Sequence, residues 1–240
     1  MRPIFSRVGS KYKLREYIIN KFPDAFDLYC EPFAGSASIF FSLDEFNGKV
    51  VLNDLDKDSI DAYKLIKRVD KGKLPILHTK EAMYKLIDHP TTNEEKLMAY
   101  IYRTSNSFMS SDKGYLWKDS SQESKVAKIE EYQQKLQGVK FLNRDALGVI
   151  REYDSKHSFF FIDPPYQKSD DLYKHDEFNL EDLKNVLKTL KGKFLLTLND
   201  SKSVRDLFKM FKISGYVVKS HSNLGRIAGS DRREILIRNF

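Results

Sequence analysis

The sequence predicts an α/β fold, a Rossmann-like doubly wound parallel sheet carrying an inserted helical subdomain. Three observations predict it. Short apolar runs of strand length alternate with segments of helical period. Between residues 26 and 53 a strand, a small-residue loop, a helix and a second strand follow one another, which is a βαβ unit. Residues 71–138 then break the alternation, being polar and mostly helical in pattern. The expected organisation is a sheet domain from residues 1–70 and 139–240, interrupted by a helical insert at 71–138. A chain of 240 residues suits one α/β domain with such an insertion.

The elements are justified in chain order. Lys11 to Phe22 carries Leu14, Tyr17, Ile18 and Phe22 at helical spacing, with Ser10 as candidate N-cap. Phe26 to Phe33 reads as the first strand, Lys49 to Asn53 as the second, and Lys57 to Val69 as the helix after it. The insert contains a loop at Ser105 to Ser121. The sheet resumes with Val139 to Leu142, Phe159 to Asp163 and Lys193 to Leu198. Tyr216 to Lys219 and Glu234 to Arg238 suit an antiparallel pair at the sheet edge.

Composition narrows the class. A formal charge of +7 suits a polyanionic partner without proving one. The single cysteine, Cys30, excludes an internal disulfide framework, fits a reducing compartment, and sits in a strand-like run as a core residue. The five histidines are scattered, so no metal site is expected. No uncharged apolar run is long enough to span a membrane, and Met1-Arg2-Pro3-Ile4 lacks a signal-peptide core. A cytoplasmic protein is therefore expected rather than a secreted one.

Four loops carry the chemistry. Asp163-Pro164-Pro165-Tyr166 follows the apolar run Phe159 to Ile162. Two prolines end a strand, because they offer no N–H to a ladder and restrict the residue before them. A carboxylate, free carbonyls and an aromatic ring are left at the carboxyl end of a core strand, where open α/β sheets hold their ligands. Glu31-Pro32-Phe33-Ala34-Gly35-Ser36-Ala37-Ser38 joins the first strand to its helix. Its small residues let a ligand approach the backbone closely, yet one glycine is too few for a dinucleotide fingerprint. Asn53-Asp54 ends the second strand, with an acid suited to ribose hydroxyls or to capping the next helix; Asp56 is an alternative cap. Asn143-Arg144-Asp145-Ala146 ends a further strand, and Asp145 suits an adenine amino group or an N-cap equally.

Taken in order, these motifs resemble those of the Dam-type adenine-specific DNA methyltransferases, over nearly the full chain. Arg7-Val8-Gly9-Ser10-Lys11 resembles the family's N-terminal cofactor motif, Glu31 to Ser36 its main cofactor loop, Asn53-Asp54 its ribose-binding acid, and Asp163 to Tyr166 its catalytic motif. The resemblance implies a Rossmann-like class I methyltransferase sheet and S-adenosylmethionine as methyl donor, released as S-adenosylhomocysteine. Its cofactor contacts would be Arg7, Gly9, Ser10, Lys11, Glu31, Pro32, Phe33, Ala34, Gly35, Ser36, Ser38, Asn53, Asp54, Asp145, Ala146 and Asp163.

It also implies duplex DNA as partner, no metal, a monomer or weak dimer, and a link to restriction-modification. Asp163 and the Pro164 carbonyl would accept the two N–H groups of the adenine amino nitrogen, with Pro165 in the same turn and Tyr166 stacked on a flipped base. Tyr173, His175 and Phe178 resemble the family's segment that closes over that base. Arg103 and Asn106, with Lys113, Tyr115 and Lys118, are expected to contact DNA from the insert, and Arg226, Arg232 and Arg233 from the tail. The insert lacks the Asn-Gly-Leu and Phe-Asn-x-Pro elements of GATC-specific members, so the target sequence stays open. The same acceptors serve cytosine N4 or an RNA adenine, and a non-catalytic DNA-binding subunit could retain the fold.

Overall fold

The structure, a computed structural model, describes residues 1–7, 9–106, 120–165, 178–218 and 232–240. Its first half carries α1 (Arg15–Ile19), β1 (Leu28–Glu31), β2 (Lys49–Asn53), α2 (Lys57–Ile66), α3 (Lys80–Asp88), α4 (Asn93–Asn106), α5 (Ser120–Ala127) and α6 (Ile129–Lys135). Next come β3 (Lys140–Leu142), α7 (Ala146–Tyr153), β4 (Ser158–Ile162), α8 (Leu180–Lys188), β5 (Lys193–Asn199), α9 (Lys202–Leu207), β6 (Lys212–Val218) and β7 (Arg232–Arg238). The strands form a seven-stranded sheet in the order β3-β2-β1-β4-β5-β7-β6. The chain divides into two compact units.

The first unit holds Met1–Asn20, Ala34–Phe46 and Val50–Asn143. Within it β2 and β3 pair in parallel, Val51 opposite Lys140 and Asn53 opposite Leu142. Its core is aromatic: Phe5 lies 5.0 Å from the rings of both Tyr63 and Tyr100, and Tyr63 stacks on Phe141 at 5.7 Å. The helix expected over Lys11 to Phe22 is shorter, a 3-10 turn at Lys11–Leu14 followed by α1. Pro23 disfavours helical backbone at Phe22, and the Phe22 ring packs instead 4.5 Å from Phe159 in the second unit's own core. Ser10 stands at the N-cap position, but its side chain caps nothing.

α2 stops at Ile66 rather than Val69, and the Gln133 amide on α6 satisfies carbonyls at and just beyond that end, donating to Ile66 (3.0 Å) and Val69 (2.9 Å). α4 begins in a reciprocal capping box, Glu95 N–H to the Thr92 hydroxyl at 3.1 Å and Thr92 N–H to the Glu95 carboxylate at 3.0 Å. The Thr91 hydroxyl, then the N–H groups of Thr92 and Thr91, hold the Glu95 carboxyl down at about 2.

The second unit holds Lys21–Phe33, Asn47–Lys49 and Arg144–Phe240. β1, β4 and β5 run parallel, with Tyr29 opposite Phe159 and Phe160 opposite Phe194. β4 is buried at every position, which is why its sequence does not alternate. The tail pair expected at the edge forms, and longer than read: β7 lies antiparallel between β5 and β6. Cys30 is buried as expected, and burial, followed by the Glu31 charge, pushes its thiol well up. Among the described residues no helix is long and apolar enough to cross a membrane, and no group of three or more His, Cys, Asp or Glu could hold a metal ion.

Candidate active site

In the first unit the chain enters its glycine loop at Ala34, whose N–H donates to the Asn53 carbonyl at 2.8 Å. The next N–H, that of Gly35, donates to Asp54 Oδ2 at 2.7 Å, and the other oxygen of Asp54 accepts from Asp56 N–H at 2.8 Å. The Tyr63 hydroxyl donates to the Gly35 carbonyl at 2.7 Å. Gly35 has φ +49°, and the nearest atom to an added Cβ would be Arg7 Cγ at 4.0 Å, so the backbone conformation rather than crowding asks for glycine. Ala37 also has positive φ, 48°. Burial raises the Asp54 carboxyl above its ordinary range, while the Gly35 N–H, the Arg7 charge and the Leu55 N–H oppose the rise. The cap of α2 is Asp56, whose carboxylate accepts from Asp58 N–H at 3.1 Å, so Asp54 is not spent on the helix.

Other predicted cofactor residues of this unit have local partners. Arg7 pairs with Asp56 and donates to the Ser59 hydroxyl at 2.7 Å. The buried Lys11 ammonium donates to the Gly9 carbonyl at 2.9 Å, and Gly9 has φ +85°. Ser36 and Ser38 are buried, Ser36 reaching Ser10 at 3.4 Å. Arg103, expected on DNA, pairs with Asp58 at 3.0 Å beside the Tyr100 ring. These lie along a groove of about 410 Å³ that also takes in Arg68 and Lys96 and no predicted cofactor residue.

In the second unit Glu31 is buried and accepts from the Tyr29 hydroxyl at 2.7 Å. Burial, with the Glu31 charge behind it, raises the Tyr29 phenol well above its usual value. Pro32 is buried, and Phe33 meets Phe178 edge-on at 5.0 Å. Asp145 takes the capping role open to it: its carboxylate accepts from Gly148 N–H at 2.6 Å and starts α7 at Ala146. At the end of β4 the Thr197 hydroxyl donates to Asp163 Oδ1 at 2.6 Å; Pro164 is buried and Pro165 exposed. Because β1, β4 and β5 are parallel, Glu31, Asp163 and Asn199 leave the sheet at one edge. The Arg233 carbonyl accepts from Asp200 N–H at 2.9 Å.

Tyr166, Lys113, Tyr115, Lys118, Tyr173, His175 and Arg226 lie outside the described residues, and Asn106 and Arg232 are described as backbone of α4 and β7. Sequence reasoning gave no role to three residues that shape these loops: Tyr63, Thr197 and Asn143, whose amide donates at 2.9 Å to the carbonyls of both Asp54 and Leu55. Only Thr197 left a signal, as the one hydroxyl in the run Phe194 to Leu198.

A sheet of this order, with a glycine loop after its first strand and acids at its strand ends, defines the Rossmann-like α/β class. The chain belongs to the D12 class N6 adenine-specific DNA methyltransferase family, whose match covers residues 8–100 and 97–220. It is an enzyme that methylates adenine in DNA with S-adenosylmethionine as donor. It is 22% identical to the Type II methyltransferase M1.LlaDCHI of Lactococcus lactis subsp. cremoris, over 100% of this chain and 96% of that protein. Among solved structures it is similar to the C-terminal domain of precorrin-6Y C5,15-methyltransferase from Rhodobacter capsulatus (10% identity, TM-score 0.48, 99% and 96% of the two chains). It is also similar to SMU.1697c from Streptococcus mutans in complex with SAH (10% identity, TM-score 0.39, 97% and 99%).

Proposed function

We propose that the protein acts on duplex DNA at a specific sequence, drawing the target adenine out of the stack and methylating its N6 by direct in-line transfer. The observation that carries this reading is the acceptor turn at the end of β4, where the Asp163 carboxylate is fixed by a 2.6 Å hydrogen bond and is followed by a proline carbonyl.

An adenine amino nitrogen is a weak nucleophile because its lone pair is delocalised into the ring. Asp163 and the Pro164 carbonyl accept its two N–H groups and return electron density to nitrogen. Pro164 and Pro165 hold the two acceptors in one conformation, so that orientation supplies much of the rate. Tyr166 stacks on the flipped base, a contact worth about 1–3 kcal/mol. Asp163 also takes the surplus N6 proton.

The glycine loop fits the donor. Gly35 brings no side chain to the loop, so a ligand can approach its backbone closely, and Asp54, braced by the N–H groups of Gly35, Leu55 and Asp56, offers its remaining acceptor capacity to ribose hydroxyls. Arg7, Gly9, Ser10, Lys11, Glu31 to Ser36, Ser38, Asn53, Asp145 and Ala146 complete the proposed cofactor set. S-adenosylmethionine supplies its methyl on a sulfonium sulfur, which keeps the bonding pair as a thioether when N6 forms the new bond.

The insert at 71–138 is the proposed recognition part, with Arg103, Asn106, Lys113, Tyr115 and Lys118, while Arg226, Arg232 and Arg233 contact phosphates, and Tyr173, His175 and Phe178 close over the base. The enzyme works as a monomer or weak dimer in a DNA-containing compartment, as one half of a restriction-modification pair. Single-molecule sequencing of DNA from cells expressing it is the test. N6-methyladenine in one short sequence context is expected. N4-methylcytosine, or methylation of RNA but not DNA in a parallel assay, would overturn the reading.

A further inference from the structure

Thr197 is buried to 0% exposure in β5, the one hydroxyl between Phe194 and Leu198. The parallel register sets it beside the reacting end of β4. The last ladder pair of the two strands is Ile162 with Leu196, so the next step brings Asp163 level with Thr197 and turns both side chains to the same face. The Thr197 Oγ1 lies 2.6 Å from Asp163 Oδ1 and 3.4 Å from the Ile162 carbonyl. A hydroxyl has one proton to give, and the carboxylate at the shorter distance takes it.

We propose that Thr197 is a positioning residue for methyl transfer, acting through Asp163. Its hydroxyl fixes the rotation of the Asp163 carboxylate, so that this group meets the target amino nitrogen in one orientation instead of searching for it. The β-branched side chain suits the task, since branching at Cβ restricts rotation about Cα–Cβ and so limits where the hydroxyl oxygen sits. The proposal rests on the reading of Asp163 as an acceptor for the target amino group, and deepens it.

The test uses pairs that differ only by the hydroxyl: Thr197 against Thr197→Val, and Thr197→Ser against Thr197→Ala, each assayed for kcat and KM on duplex DNA beside an Asp163→Ala control. Loss of a hydrogen bond to a charged group predicts a kcat about 10- to 100-fold lower for Thr197→Val. KM for DNA and for S-adenosylmethionine should stay near the parent values, and Thr197→Ser should recover most of the rate that Thr197→Ala loses. A merely structural role would lower the melting temperature without this split and without rescue by serine. Wild-type kcat in Thr197→Val, or equal rates for the serine and alanine variants, overturns the proposal while an inactive Asp163→Ala keeps the acceptor reading. An active Asp163→Ala overturns both.

Discussion

The loop after β1 and the loop after β4 both turn out of buried strands, and they are held by opposite means. Residues 34–37 contain two positive φ values, at Gly35 and Ala37, and are fixed by backbone groups meeting distant partners: Asn53, Asp54 and Tyr63. Residues 163–165 show no positive φ; two proline rings restrict them covalently, and the Thr197 hydroxyl donates to the carboxylate. The difference teaches what each loop is built to keep constant. In the function proposed above, the first keeps a backbone surface for the cofactor and the second keeps two acceptor atoms in one orientation. Damage to the first should therefore appear in binding and stability, and damage to the second in turnover.

The largest expected effect is on the second loop. Asp163→Ala should cut turnover by at least about 10²- to 10³-fold, the scale seen when one preorganised electrostatic contact is removed. Its affinity for S-adenosylmethionine by calorimetry should fall far less than its turnover, Asp163 being one cofactor contact among many. A matching loss of cofactor binding would break the division between the loops.

The first loop should respond through its backbone. Gly35→Val places a branched side chain at φ +49°, at a cost of about 1–2 kcal/mol. In a chain of 240 residues that corresponds to a melting temperature lower by about 2–8 °C, with weaker cofactor binding. An unchanged melting curve would mean that the left-handed turn is not required.

The smallest effect is a pH slope. Burial holds the Asp54 carboxyl above its unfolded value, so the folded protein keeps that proton to higher pH than the unfolded chain does. Its ionisation therefore costs stability as pH rises from the ordinary carboxylate value of 3.8 through the raised one. Asp54→Asn should lose less stability than wild type over that rise. Denaturant midpoints on both sides of the window measure it, and parallel slopes would show that burial is not the dominant influence.

How much was legible in advance follows the range of each interaction. β2 was read residue for residue, because the apolar Val50 to Leu52 is bounded by Gly48 and Asp54 within a few positions. The strand-ending role of Pro164 and Pro165 was equally local. The first helix was read too long, since Phe22 fits a helical period while Pro23 and the ring of Phe159 take it elsewhere. Asp54 and Asp56 competed for one cap, and only the fold assigns it to Asp56. Thr197 was visible as a polar residue in an apolar strand, but its partner depends on the β4–β5 register, which no local pattern encodes. The same holds for Arg103, whose partner Asp58 is 45 positions away.

The placement of β7 bears on how the chain assembles. β7 is later in sequence than both of its neighbours, yet it lies between them, pairing Leu198 with Ile235 on one side and Tyr216 with Glu234 on the other. Until residues 232–238 emerge from the ribosome, β5 has no partner on that flank, and its run Phe194 to Leu198 is an apolar edge open to other nascent chains. Sheet closure therefore waits until β7 has followed β6 out of the ribosome, and the interval before it is when a chaperone would matter most.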